Sequence, residues 1–155
     1  MSFRISGLDP APFRSLYGLG DEALAERGVL RVVADSRPGF PDRVELRDAE
    51  PGESLLLLNY AHQPADTPYR ASHAIFVREG AEAAFEGKDR LPEVLRIRPL
   101  SLRAFDGSGM MVDAALTPGS EAEEAIARLF AKPGADYIQV HYATRGCYAA
   151  RIDRD

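Results

Sequence analysis

The stretch that most constrains the fold runs from residue 55 to residue 78. It begins with four consecutive leucines, followed by Asn59 and Tyr60, and this apolar run is too short for a helix of average length. A short apolar run between turn residues is typical of a strand that is buried on both faces. A second run, residues 74–77, follows a polar segment. The pattern predicts two core strands that flank one polar loop.

The polar loop carries an unusual density of reactive side chains. It holds His62, Asp66, Tyr69, Arg70 and His73 within twelve residues. Pro64 and Pro68 restrict the backbone of this loop, which favours a fixed wall over a mobile lid. We therefore expect the side chains of this loop to line a site.

Length and composition narrow the class of protein. A chain of 155 residues with 45% hydrophobic and 28% charged residues is typical of one globular domain, predicted to span residues 1–155. The formal charge of −5 argues against nucleic-acid binding, which needs a clustered basic surface. No segment approaches the roughly 20 apolar residues of a membrane span. With Cys147 as its single cysteine the chain has no internal disulfide, which suits a reducing cytoplasm.

The secondary-structure signals predict an α+β fold. The main helix is expected over residues 120–131, where Ser120 and Glu123 form a capping box and apolar residues recur at helical spacing. Short helical turns and extended segments, among them residues 95–98, fill the remainder. We expect a mostly antiparallel sheet of about seven strands, strongly curved or partly closed, with the helix packed on it.

Two hairpins have registers that follow from their glycine-containing loops. A loop at residues 107–109 predicts that Arg103 lies opposite Asp113, an opposite-charge pair. A loop at residues 144–146 predicts a second set of pairs: Ile138 with Ile152, Gln139 with Arg151, Val140 with Ala150, His141 with Ala149, Tyr142 with Tyr148 and Ala143 with Cys147.

Four stretches together resemble one known family: PGFPDRVEL (residues 38–46), DAEPGESLLLLNY (48–60), PYRASHAIFVREG (68–80) and VHYATRGCYAARI (140–152). They resemble a bacterial family known only as the domain of unknown function number 1203. The resemblance implies a compact cytoplasmic bacterial protein and implies no reaction. Where members of that family often carry cysteine after the proline, this chain has Asp42, so no thiol is present there to pair with Cys147.

Cys147 and His141 are the candidate catalytic pair. A nucleophilic thiol needs a nearby base or positive charge. The predicted register places both residues on one face of the hairpin, as diagonal neighbours. The alternative is a buried, inert cysteine, since free cysteine is among the most buried residue types.

The three histidines of the chain, His62, His73 and His141, are the candidate metal ligands. Their spacing matches no compact ligand motif, so we predict no metal and no cofactor. His62 and His73 are interpreted as hydrogen-bonded residues at strand ends.

The remaining candidate chemistry is recognition of an anion. Arg70 presents a guanidinium fork on a stiffened loop, and such a fork suits a carboxylate or a phosphate. Arg145 at the hairpin tip and Arg151 on its polar face would add positive charge. The predicted ligand-binding residues are Tyr69, Arg70, His73 and His141.

We therefore expect a small anionic ligand in a polar pocket between the 62–73 loop and the C-terminal hairpin. In this arrangement Tyr69, Arg70 or His73 approaches His141 or Cys147. Two alternatives stay open. One is a small enzyme that uses Cys147 or a histidine-based site. The other is a structural or interaction protein without a ligand, and the sequence leaves the oligomeric state open.

Overall fold

The computed structural model describes all residues, 1–155, and shows nine strands. The strands are β1 (Phe3–Ser6), β2 (Leu30–Val33), β3 (Ser54–Gln63), β4 (Ala71–Arg78), β5 (Glu86–Lys88), β6 (Pro99–Phe105), β7 (Met111–Pro118), β8 (Tyr137–Tyr142) and β9 (Tyr148–Arg154). They form a six-stranded sheet in the order β5-β1-β9-β8-β6-β7 and a three-stranded sheet in the order β2-β3-β4.

Every pair of neighbouring strands in these sheets is antiparallel, so the α+β prediction holds. The expectation of one sheet of about seven strands is wrong, because β3 and β4 pair with β2 in a sheet of their own. Residues 95–98 form no strand either. Pro92 precedes a short helix there, α2 (Glu93–Arg96), which buries Val94 and Leu95. Curvature or partial closure of the sheets stays a prediction.

The other helices are α1 (Asp21–Glu26), α3 (Ala122–Phe130) and two 3₁₀ turns, Ala11–Leu16 and Gly119–Glu121. The predicted start of the main helix at Ser120 is wrong, since residue 120 lies in a 3₁₀ turn and no side chain caps the helix. Glu123 instead accepts a hydrogen bond from Arg96 Nη1 at 2.7 Å. None of the helices is both long and apolar enough to cross a membrane.

The two largest apolar cores correspond to the two sheets. α3 buries its predicted apolar stripe in a cluster of 22 residues that covers one face of the six-stranded sheet. A second cluster of nine residues joins β3 and β4 to the first helical turns of the chain. β3 is the central strand of the smaller sheet. In this strand Leu55 and Leu56 are fully buried and Leu57 is half-buried.

A β-bulge changes the register of the β6–β7 hairpin. Phe105 lies opposite Met111 as predicted, but the extra residue in β7 places Arg103 opposite Ala114. The predicted pairing of Arg103 with Asp113 is therefore wrong. Asp113 lies opposite Ala104 and forms an ion pair with Lys132, which follows α3.

A second bulge divides the β8–β9 hairpin. The three pairs that lie farthest from the loop are confirmed: Ile138 with Ile152, Gln139 with Arg151 and Val140 with Ala150. Towards the loop the register shifts by one residue, so that His141 lies opposite Tyr148 and the Tyr142 N–H donates to the Cys147 carbonyl. The three predicted pairs nearest the loop are therefore wrong. Because side chains alternate along a strand, Cys147 lies on the face of Tyr142, while Tyr148 lies on the face of His141.

The segment before β3 is fastened between the two sheets. The Arg43 N–H donates to the Phe76 carbonyl of β4 at 3.1 Å, and the Arg43 carbonyl accepts from Leu8, just after β1, at 2.8 Å. Both oxygens of Asp42 accept backbone N–H groups, from Arg78 at 2.7 Å and from Glu45 at 2.5 Å. This anchoring directs the Arg43 side chain to the C-terminal hairpin.

Candidate functional site

A cavity of about 240 Å³ lies where the 38–48 segment meets the tip of the β8–β9 hairpin. We call it the arginine pocket. Three of its ten lining residues are arginines and none is acidic. The lining residues are Gly39, Pro41, Arg43, Phe76, Arg98, Pro99, Tyr142, Thr144, Arg145 and Cys147.

Arg43 is a buried cation without a carboxylate partner. Its side chain is 2% exposed and donates to the carbonyls of Tyr148 at 2.8 Å and Pro41 at 2.5 Å. Its third contact runs from Nη2 to Sγ of Cys147 at 3.0 Å. The neighbouring Asp42 does not neutralise it in an ion pair, because the Asp42 oxygens accept backbone N–H groups. The guanidinium is hydrogen-bonded, but its charge is uncompensated by direct contact.

Arg98 differs from Arg43 because its charge is matched. It binds Asp48 through two parallel hydrogen bonds, from Nη1 at 2.9 Å and from Nη2 at 2.7 Å. Asp48 is 5% exposed and lies behind the lining of the pocket. A bidentate pair of this kind holds the guanidinium in a fixed orientation. Arg98 therefore contributes a positioned donor to the pocket, and Arg43 contributes the net positive charge.

The Tyr142 ring is contacted by both guanidinium groups. The Cζ atoms of Arg43 and Arg98 lie 5.0 and 5.2 Å from the centroid of the ring. Its hydroxyl is buried and has no hydrogen-bond partner. Burial raises the pKa of Tyr142, so the hydroxyl keeps its proton at neutral pH. Tyr142, which lines the pocket, thus carries a buried hydroxyl donor that makes no hydrogen bond.

Cys147 and Arg145 complete the pocket. Cys147 is buried beside Arg43, and the bulge in β9 separates it from the face of His141, so the expected shared face of this pair is wrong. Arg145 is exposed at the hairpin tip and makes no hydrogen bond or ion pair with the rest of the chain. The adjacent Gly146 has φ +78°, the left-handed conformation expected from the loop. The hairpin therefore offers a buried thiol and an unpaired cation to one cavity.

The opposite face of the hairpin carries a histidine cluster formed by His62, Gln139 and His141. The Gln139 amide nitrogen donates to the His62 carbonyl at 2.8 Å, which fixes the orientation of the amide. Gln139 Oε1 lies 2.9 Å from His62 Nδ1 and 3.0 Å from His141 Nε2. The His62 and His141 rings meet edge to face with centroids 4.8 Å apart. His62 is thus the residue of the 62–73 segment that reaches His141.

The three other predicted ligand residues lie apart from these contacts. Tyr69 packs edge to face on Phe105 with centroids 6.3 Å apart, and the exposed side chain of Arg70 makes no hydrogen bond or ion pair. His73 Nδ1 lies 2.9 Å from the Ala74 carbonyl. Ligand binding by Tyr69, Arg70, His73 and His141 stays a prediction.

Burial governs the protonation of the histidine cluster. It lowers the pKa of His141 from 6.5 to about 3, assisted by the nearby charge of Arg103, and it also lowers the pKa of His62. Both imidazoles are therefore neutral at pH 7. No group of three or more His, Cys, Asp or Glu side chains is arranged to hold a metal ion.

Sequence reasoning missed Arg43, Arg98 and Tyr142 as site residues. One signal was available, because Arg43 lies in a proline-stiffened stretch beside Val44, and a cation that becomes buried there needs a polar partner. That partner is 104 residues away in the chain, beyond the reach of local patterns.

Comparison with known proteins yields one match. A profile of the family described as "Protein of unknown function (DUF1203)" matches residues 39–154. This range contains every lining residue of the arginine pocket and the whole histidine cluster. No curated protein and no solved structure matches the chain.

Proposed function

We propose that this chain, which belongs to the DUF1203 family, reversibly binds a small anionic ligand in the arginine pocket. The ligand is either a carboxylate or a phosphate. The description of the family names no activity, so the proposal is based on the geometry of the pocket. The observation that carries it is the buried Arg43, whose charge meets no carboxylate.

Electrostatics supports an anion as the occupant. Burying a cation without an ionic partner is costly, and a bound anion would offset that cost. Of the three cations in the lining, only Arg98 is paired, with Asp48 behind it. Arg43 and Arg145 leave the pocket positive, although the chain as a whole has a formal charge of −5. Local charge at the pocket is thus opposite in sign to that of the whole chain.

Size and donor geometry support a small ligand. Ligand pockets commonly have volumes of roughly 300–1,000 Å³. A cavity of about 240 Å³ falls just below that range and suits a small metabolite better than a nucleotide. The orphaned Tyr142 hydroxyl is a donor that an anionic oxygen would satisfy.

A thermal-shift experiment tests this proposal. Wild-type protein is heated with phosphate, sulfate, benzoate or citrate at constant ionic strength, and at least one of these anions is expected to raise Tm. Saturation at a hundred times Kd stabilises a protein by about 2.7 kcal/mol. Arg145→Gln is expected to weaken binding by roughly tenfold, because it removes one charge near the ligand.

Arg128→Gln provides the matched control. Arg128 is an exposed arginine on α3 that also makes no hydrogen bond or ion pair, so its loss should leave the shift intact. The proposal fails if none of the anions raises Tm, or if Arg145→Gln and the wild type respond equally.

A second candidate places the anion at the predicted pocket between the 62–73 loop and the C-terminal hairpin. Arg70 favours it, because this exposed guanidinium is unpaired. Under this alternative Arg70→Gln, and not Arg145→Gln, abolishes the anion-induced shift. An interaction role is the third candidate, supported by exposed Leu116 and Val112 on the edge strand β7.

The setting that we propose is the bacterial cytoplasm, in a single domain. The family resemblance supports a bacterial source. The one free cysteine fits a reducing compartment. The negative formal charge keeps nucleic acid outside the proposal.

A further inference from the structure

We propose that Cys147 is a modification site, whose thiolate forms a mixed disulfide with a small thiol that carries a carboxylate. The inference rests on the proposed function, because the same arginines would select the anionic partner. It adds a covalent step at a named atom, Sγ of Cys147.

The surroundings of the sulfur carry the first part of the argument. Arg43 Nη2 lies 3.0 Å from Sγ and donates to it. Positive charge beside a sulfur is the environment in which cysteine acts as a nucleophile, whereas a purely apolar environment makes it inert. Cys147 is buried, yet it lines a cavity that also contains the exposed Arg145. The sulfur therefore has both an activating neighbour and adjacent open space.

Tyr142 supplies an independent indication of a ligand. Its side chain is 5% exposed and lines the same cavity, and its hydroxyl has no hydrogen-bond partner. Buried polar groups are nearly always hydrogen-bonded, so an orphan points to a missing acceptor. A carboxylate on the incoming molecule provides such an acceptor, close to the sulfur that it modifies.

The step is a thiol–disulfide exchange. The Cys147 thiolate attacks one sulfur of a small disulfide; the new S–S bond forms as the old one breaks. The leaving thiolate takes the electron pair and then a proton from solvent. The Cys147 sulfur is oxidised and the leaving sulfur is reduced. The chain has no second cysteine, so reversal requires another small thiol.

The test compares two aromatic disulfides on the native full chain. Dithiobis(nitrobenzoate) is anionic and dithiodipyridine is neutral, and each releases a coloured thiol as the adduct forms. Mass spectrometry of the intact chain counts the adducts. For each probe the second-order rate constant is divided by that of N-acetylcysteine amide, a free thiol without a pocket.

We expect this normalised rate constant to be about tenfold larger for the anionic probe than for the neutral one. The reason is that a unit charge near the site contributes roughly 1.4 kcal/mol at intermediate dielectric. This gain should shrink in high salt. Arg145→Gln should reduce it and Arg128→Gln should not. Cys147→Ser should abolish the adduct.

The outcomes separate this inference from the proposed function. If anions raise Tm but Cys147 stays unmodified, or reacts without preference for the anionic probe, the covalent step is wrong and reversible binding stands. If Cys147 reacts only in transiently unfolded molecules, the covalent step is also wrong. This result is recognisable because an unfolded thiol shows no preference for the anionic probe beyond that of the reference thiol. If the preference appears and depends on Arg145 while no anion raises Tm, the modification site stands and reversible binding fails.

Discussion

The hydroxyl of Tyr142 is the one buried side-chain polar atom without a hydrogen-bond partner in the protein. A buried polar group left unsatisfied costs about 1–3 kcal/mol. The residue therefore lowers the stability of the ligand-free protein, which is expected of a group whose partner is a ligand.

This cost predicts that removing the Tyr142 hydroxyl will not lower the free energy of unfolding. Tyr142→Phe should leave the free energy of unfolding of the ligand-free protein unchanged or raise it by about 1 kcal/mol, because it removes the orphaned group. The matched change is Tyr17→Phe, since Tyr17 donates to the Ala81 carbonyl at 2.9 Å. It should lower the same quantity by about 0.5–1.5 kcal/mol. Urea titrations measure both, and a destabilised Tyr142→Phe would show that the hydroxyl has a partner.

His141 is a second residue whose state is decided by burial. Its two ring nitrogens lie near two acceptors, Gln139 Oε1 at 3.0 Å and the Gly146 carbonyl at 3.1 Å. Since its pKa falls to about 3, the ring carries one proton at pH 7 and donates to only one of them. The unfolded chain takes up a proton near pH 6.5, whereas the folded chain does not.

The sign of the resulting pH dependence follows. Between pH 6.5 and about 3 the unfolded state binds more protons, so stability falls as the pH falls through this window. His141 alone should contribute a slope of about 1.4 kcal/mol per pH unit between pH 6 and 4. His141→Gln should flatten the measured slope by that amount, and His73→Asn serves as the control variant. Equal slopes for wild type and His141→Gln would contradict the burial effect.

At the scale of elements, the leucines of β3 differ in how deeply they are buried. Leu56 has no exposed surface and belongs to the core with Val77, whereas Leu57 is half-buried. The run of four leucines predicts a strand that is buried on both faces, and Leu55, on the same face as Leu57, has no exposed surface. Coverage of that face therefore decreases from Leu55 to Leu57.

Paired alanine substitutions test this difference. Leu56→Ala should lower the free energy of unfolding by about 2–5 kcal/mol, through lost transfer energy and a cavity. Leu57→Ala should cost clearly less, because part of that side chain is already in water. Chemical denaturation of both variants measures the two costs. Equal losses would mean that Leu56 and Leu57 are covered alike.

At the scale of the whole molecule, Arg43 connects the two sheets. Its backbone is bound to β4 of the three-stranded sheet, and its side chain reaches Tyr148 and Cys147 of the C-terminal hairpin. Arg43 is 2% exposed and bridges segments that lie 105 residues apart in the chain. The carbonyls of Tyr148 and Pro41 accept side-chain hydrogen bonds from Arg43 and from no other residue.

Replacing Arg43 should therefore be costly even though its charge is unpaired. Arg43→Met keeps much of the volume but leaves the carbonyls of Pro41 and Tyr148 without this donor, which should cost about 2–4 kcal/mol. Arg47→Met is the matched control, because Arg47 pairs with Glu53 at the partly exposed surface and should cost under about 1 kcal/mol. Urea titrations compare the two, and a loss below about 1 kcal/mol for Arg43→Met would refute its bridging role.

Elements with a local sequence pattern were predictable. The apolar stripe of α3, the two strands around the polar loop and the hairpin pairs next to Ile138 all follow from periodicity within a few residues. The four residues from 95 to 98 show the limit of such patterns. Alternation over so short a stretch also fits one helical turn, and burial of Val94 and Leu95 favours the helix.

The bulges and the site, in contrast, depend on contacts between distant parts of the chain. A bulge adds one residue to one strand and moves every side chain beyond it to the other face, so Cys147 faces Arg43 instead of His141. The arginine pocket joins residues that lie far apart in the chain, and no local pattern encodes such a meeting. The balance of burial, charge and hydrogen bonds across the whole fold brings Arg43, Tyr142 and Cys147 to one cavity.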